Sequence, residues 1–183
     1  MRALVVFESM YGNTRAIANN IADGLRTSHD VTVVPVAAAT PELVDKADLL
    51  VVGGPTHMHG MSRASSRRMA AQAASKEGSG LTMDPDSGGS GLREWLDAIG
   101  PGHGLVAAFD TRFNGVPLFT GRAGRGIAKL LRNHGYVLLT APESFIVSKQ
   151  NTLLDGEDAR ARNWGGRLGT AASGTGASTS RPG

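Results

Sequence analysis

Residues 9–14 read Ser9-Met10-Tyr11-Gly12-Asn13-Thr14, placing hydroxyls, an amide and one glycine between the apolar run at residues 3–7 and a helical pattern opening at Arg15. Where a strand feeds a helix, the first backbone N–H groups have no partner inside the helix, and the aligned peptide dipoles favour negative charge there. The hydroxyls of Ser9, Tyr11 and Thr14 and the Asn13 amide could add donors, while Gly12 allows a tight turn against a ligand. The expected chemistry is phosphate binding. A dinucleotide turn would need three spaced glycines and only Gly12 is present, so a mononucleotide phosphate is expected. The plain alternative is an ordinary strand-to-helix turn with a capping hydroxyl.

Two further clusters lie at the ends of apolar runs. Gly53-Gly54-Pro55-Thr56-His57-Met58-His59-Gly60 follows one, and Phe109-Asp110-Thr111-Arg112 ends another. His57 and His59 could solvate a turn or face a ligand; as a metal site they lack a third ligand nearby in sequence. Asp110 and Arg112 could pair with each other, or the Thr111 hydroxyl and adjacent backbone N–H groups could meet a ligand's polar edge. Trp95 and Trp164 fall at helical spacing with Leu92 and Leu168, which assigns both to core packing.

The elements that must position these clusters alternate strand and helix. Residues 3–7 read as a strand buried on both faces, and Ile17, Ile21 and Leu25 form one apolar helical stripe. Residues 31–36 are a second strand, placed at a sheet edge because Pro35 cannot donate to a ladder. A short helix at residues 41–46, with Thr40 as N-cap and Pro41 at its first position, precedes a third strand at residues 48–53. The long crossover at residues 61–102 contains helical stretches at 62–76 and 92–99, separated by an irregular Gly- and Ser-rich passage at 78–91. Residues 105–109 are a fourth strand and 121–133 a helix with Ile127, Leu130 and Leu131 inward. A fifth strand comes in two pieces, 136–139 and 144–147, around Pro142, followed by a helix at about 156–168. From Thr170 the residues are small and aperiodic, giving a domain at residues 1–169 and a disordered tail at 170–183.

This pattern predicts an α/β fold: a doubly wound five-stranded parallel sheet, order 2-1-3-4-5, with helices on both faces. In such sheets a ligand lies beyond the carboxyl ends of the strands where the order reverses, so the loops after strands one, three and four converge.

The chain has 183 residues, 40% of them hydrophobic, enough for one domain with a sizeable core. The absence of cysteine excludes disulfides and thiol nucleophiles. Met1-Arg2 is followed by only five apolar residues, too few for a signal-peptide core, and no apolar run reaches membrane-spanning length, so a cytoplasmic protein without a membrane partner is expected. The formal charge of +3 is small and its arginines, including Arg63, Arg67 and Arg68, lack interleaved aromatics, which argues against a nucleic-acid partner.

The first turn and the five-strand layout resemble the flavodoxin-like family, with Ser9, Gly12 and Thr14 matching its phosphate loop. Ser-Met-Tyr-Gly is also similar to the related tryptophan-repressor-binding-protein family of FMN-dependent quinone reductases. The resemblance implies FMN as cofactor, with residues 9–14 at its phosphate, Pro55, Thr56, His57, Met58, His59 and Gly60 beside the ring, and Phe109, Asp110, Thr111 and Arg112 at its pyrimidine edge. No Trp stands in the second loop, so His57, Met58 or His59 would supply the flat or polarizable contact. It further implies a flavin that carries the redox chemistry without a protein acid or base, and a redox partner protein or a small-molecule acceptor. The function expected is FMN-binding electron transfer; the alternatives are an NAD(P)H:quinone-type oxidoreductase and a non-redox module retaining the fold. The low acidity is unlike typical flavodoxins. A phosphoacceptor receiver shares the sheet order, but it needs an aspartate where this chain has Gly53-Gly54.

Overall fold

The apolar run near the N-terminus forms strand β1 (Arg2–Phe7), whose alternate side chains bury on opposite faces of the sheet. Ala3, Val5 and Phe7 meet one helical layer, Leu4 and Val6 the other. The computed structural model describes residues 1–57, 60–115 and 121–178. Helix α1 (Asn13–Leu25) follows, then β2 (Asp30–Pro35), a turn of 3-10 helix (Val36–Ala38) and α2 (Pro41–Asp45). Strand β3 (Leu49–His57) folds back on the short antiparallel β4 (Gly60–Met61). After α3 (Ala64–Ala74) and α4 (Leu92–Ala98) come β5 (Leu105–Phe113), α5 (Ala123–Asn133), β6 (Val137–Leu138), β7 (Glu143–Val147) and α6 (Glu157–Ser178).

The strands order β2-β1-β3-β5-β6, with β7 also pairing β5 and β4 pairing β3. Once β4 is set aside and β6 and β7 are counted as two pieces of one strand, this is the expected order 2-1-3-4-5. Pro35 does sit on the edge strand. Helices α1 and α6 cover one face and α4 and α5 the other.

Three expectations need correction. Strand β3 runs four residues beyond Gly53, because Gly54 and Pro55 pair with Asp110 and Thr111 while Thr56 and His57 pair with Met61 and Gly60. Strand β5 continues to Phe113, since residues 109–113 pair in register with β7. The C-terminal helix does not stop near residue 168: residues 170–178 of the expected disordered tail are helical and Ala172 is fully buried against α1's layer. Residues 179–183 lie outside the described residues. The passage at 78–91 contains neither helix nor strand, as expected, yet it is held: the Asp84 N–H donates to the Met10 carbonyl at 2.7 Å.

Candidate functional site

At the carboxyl end of the sheet the chain leaves β1 through the Ser9-to-Thr14 turn. Gly12 stands just before α1 with φ 91° and ψ −22°, a left-handed conformation that glycine adopts without penalty. Its N–H donates to the buried Ser9 hydroxyl at 3.1 Å, and its carbonyl takes the first helical bond, from Ala16. The N–H groups of Asn13, Thr14 and Arg15 have no acceptor among the described residues.

Other helix starts at this end of the sheet are closed by the protein itself. The Leu92 N–H that opens α4 donates to Glu8 Oε2 at 2.8 Å. At the start of α5, Ala123 donates to Thr56 Oγ1 at 3.0 Å and Gly124 to Asp110 Oδ2 at 2.7 Å. Helix α1 keeps its first-turn donors open, and with them the positive end of a 13-residue dipole.

Asn13 and Thr14 line a cleft of about 300 Å3, at the lower end of the range for small-ligand sites. It is lined by Met10, Tyr11, Asn13 and Thr14 from the first turn, Pro55, Thr56 and His57 from β3, and Thr111, Arg112 and Phe113 from β5. Leu81 and the segment after β7, with Lys149 and Asn151, complete the wall. The strand ends expected to converge therefore do so. Thr14 and Thr111 share a buried hydroxyl–hydroxyl hydrogen bond of 2.8 Å. Asn13 Nδ2 donates to the Asn151 carbonyl at 3.0 Å and to its Oδ1 at 3.1 Å.

Not every expected donor is available. The Tyr11 hydroxyl, expected as a phosphate donor, gives its proton to the Ala70 carbonyl at 3.0 Å, and the Asn13 amide is spent on Asn151. Ser9 is buried and does not line the cleft. Arg15 turns away to Asp84 and Asp86, its guanidinium 4.9 Å from the centre of the Phe7 ring. Burial alone would push the Asp84 carboxyl up; hydrogen bonds from Arg15, the Asp86 N–H and Ser9 outweigh it and hold the group below its usual range. The backbone, more than the side chains, is what remains free to bind an anion.

Phe109 and Asp110 are not at the cleft. Because β5 extends to Phe113, the strand's mouth is Thr111-Arg112-Phe113, and Phe109 lies deeper, edge-on to Phe145 and Trp164 at 6.3 and 6.4 Å. Asp110 is on the other face, fully buried under α5. Arg112 donates to the carbonyls of Phe113 and Gly115 at 3.3 and 3.0 Å. Gly60 pairs with His57 in β4, while Met58 and His59 fall outside the described residues. His57 is half-buried, and burial pushes its imidazole below the usual range against the pull of Glu8. Among the described residues no group of three histidines or carboxylates could hold a metal ion. Trp164 is core, and Trp95 is half-buried with its indole N–H donating to the Ala39 carbonyl at 2.9 Å.

Sequence reasoning missed Phe113, Lys149 and Asn151. Asn151 carried a signal in its residue type, since it holds φ 59°, a left-handed conformation that asparagine tolerates better than most residues.

Asp110 yields a pH prediction. Burial raises its carboxyl above the usual range against the opposing pull of the Gly124 N–H, Arg112 and Arg122. The folded protein therefore keeps a proton that the unfolded chain has lost, and stability falls as pH rises from about 4, the ordinary aspartate value, through the raised one. Asp110→Asn keeps an acceptor for Gly124 without the buried charge. It should be more stable than the parent at pH 7, by about 1 kcal/mol, with the gap closing toward pH 4; urea unfolding at a series of pH values measures this.

With this geometry in place, comparison with known proteins shows that the flavodoxin family model matches residues 5–93. No curated protein matches the chain in sequence. Among solved structures, a flavodoxin from the domain Archaea is similar at 20% identity and TM-score 0.65, covering 94% of this chain and 99% of its own. Flavodoxin 1 from Bacillus cereus matches at 16% identity and TM-score 0.64, with 92% and 97% covered. A WrbA-like flavodoxin protein from Agrobacterium tumefaciens matches at 20% identity and TM-score 0.56, with 94% and 98% covered. Identities this low establish the fold.

Proposed function

Because the chain is flavodoxin-like, in the family match of its first half and in its fold throughout, we propose that the cleft is a flavin mononucleotide site and that the protein carries electrons between redox partners. The observation that supports this best is the contrast between helix starts: α4 and α5 are capped by Glu8, Thr56 and Asp110, while the N–H groups of Asn13, Thr14 and Arg15 stay unmatched at the helix start beside the cleft. Unmatched N–H groups at a dipole's positive end suit a phosphate dianion.

When bound, the flavin supplies the redox chemistry, and the side chains supply a setting for it. Thr14 and Thr111, bonded to each other, fix the distance between the phosphate turn and the β5 mouth. Phe113, 52% exposed, provides the flat apolar face that the β3 end lacks, and Pro55 and His57 form the opposite wall. His57 enters this setting as a neutral imidazole, since burial holds its proton affinity down.

The test is titration of the flavin-free protein with FMN and with riboflavin, read by quenching of flavin fluorescence. FMN should bind more tightly than riboflavin, and Phe113→Ala should weaken both by about tenfold, the loss of one aromatic stacking contact. A protein that takes up neither removes the reading. NADPH should reduce the loaded protein only slowly; fast turnover with a quinone would replace carrier by reductase.

A further inference from the structure

Helix α5 carries an uncompensated row of positive charge that begins at the cleft. Arg125, Lys129 and Arg132 are all exposed, and their i, i+4, i+7 spacing stacks them along one side of the helix, about 10 Å end to end. Arg122 stands immediately before the helix. None of these four forms an ion pair among the described residues, although Arg15, Arg26, Arg67, Arg160 and Arg162 all do. Neighbouring α4 adds Arg93, with Glu94 committed to Arg67 and Asp97 one turn on.

The start of this row is tied to the cleft, because Ala123 donates to Thr56, a cleft-lining residue. The exposed aromatic Phe113 lies at the same mouth. An apolar anchor flanked by cations has the anatomy of a protein-docking surface, in which charge steers approach and the aromatic contributes affinity.

We infer that the α5 face and the cleft mouth dock an acidic redox protein, whose carboxylates meet Arg122, Arg125, Lys129 and Arg132 while its cofactor edge approaches Phe113. A protein is favoured over a free polyanion because the row ends at an apolar rim and a cofactor-sized cleft, where strand or phosphate contacts would gain nothing. The inference rests on the electron-carrier reading above, but its test does not require flavin.

The probe is an oxidised plant-type [2Fe–2S] ferredoxin, a strongly acidic protein, titrated calorimetrically into the flavin-free full chain at low and at near-physiological salt. Binding should be micromolar at low salt and weaken at least tenfold near 0.15 M, where screening sets in within about 8 Å. Arg125→Glu with Lys129→Glu should weaken low-salt binding more than tenfold. Arg162→Glu with Arg167→Glu, the same charge change on α6 across the sheet, should alter it less than threefold. Circular dichroism checks that both variants remain folded. Equal losses from the two variants, absence of low-salt binding, or tighter binding of a single-stranded oligonucleotide to the same face would each overturn the proposal. If ferredoxin binds as expected but FMN does not, the docking face stands and the flavin reading falls.

Discussion

Replacing Gly165 with alanine is expected to destabilise the fold by about 3 kcal/mol. Helices α1 and α6 cross with backbone against backbone: a Cβ at Gly165 would stand 2.1 Å from the Ile21 carbonyl oxygen, and one at Gly24 would stand 1.9 Å from that of Arg162. Neither neighbour is a side chain that could swing aside. Relief requires the two helices to separate, which would lift Trp164 and Leu168 from the core they share with Ile17, Ile21 and Leu25. Alanine's helix propensity returns only about 1 kcal/mol, so the clash outweighs it. Against a total stability of roughly 5–15 kcal/mol, Gly165→Ala should lower the urea midpoint markedly, and Gly24→Ala should do the same. Gly174→Ala supplies the opposite sign: a Cβ there meets nothing within 4 Å, leaving only the propensity gain. Equal stabilities for Gly165→Ala and Gly174→Ala would mean the two helices do not cross this closely.

The same crossing explains why the end of α6 was illegible in the sequence. A helix is recognised by large apolar residues at a 3.6-residue period, and residues 169–178 contain none. The period is present in small residues instead, with Ala161, Gly165, Gly169 and Ala172 at spacings of four, four and three; close packing selects for size where ordinary packing selects for hydrophobicity. The sheet was legible because parallel strands buried on both faces need unbroken apolar runs, and β1, β3 and β5 have them. Their ends were not. Gly54, Pro55, Asp110 and Thr111 look like loop residues one at a time, and they become strand only by pairing with each other, a long-range condition that composition does not encode. Ending β5 four residues too early placed Phe109 and Asp110 in the expected site and left Phe113 out of it. The turn at residues 9–14 was placed correctly as a turn, since its position depends only on the local junction, but Tyr11 and Asn13 looked like free donors. Ala70 and Asn151, the partners that occupy them, lie far away in sequence.

If the open N–H groups of α1 grip a phosphate, Gly12→Ala should separate FMN from riboflavin. Gly12 has φ 91° and an added Cβ would touch nothing within 4 Å, so the substitution acts through backbone strain alone. Holding alanine in the left-handed region costs about 1–2 kcal/mol. Rotating φ to a negative value relieves that strain, and in doing so it re-aims the peptide planes that carry the Asn13 and Thr14 N–H groups and breaks the Gly12-to-Ser9 bond. Hydrogen bonds to a charged group contribute about 1.5–3 kcal/mol each, so losing the aim of one or two weakens FMN by tenfold to several hundredfold. Riboflavin, which lacks the phosphate, should bind the variant as it binds the parent. Gly12→Asn should recover part of the lost FMN affinity, because asparagine tolerates the left-handed conformation. Fluorescence titration of both flavins against the parent and the two variants measures the ratio directly. A ratio of FMN to riboflavin affinity that is the same in the parent and in Gly12→Ala would place the phosphate somewhere other than the start of α1.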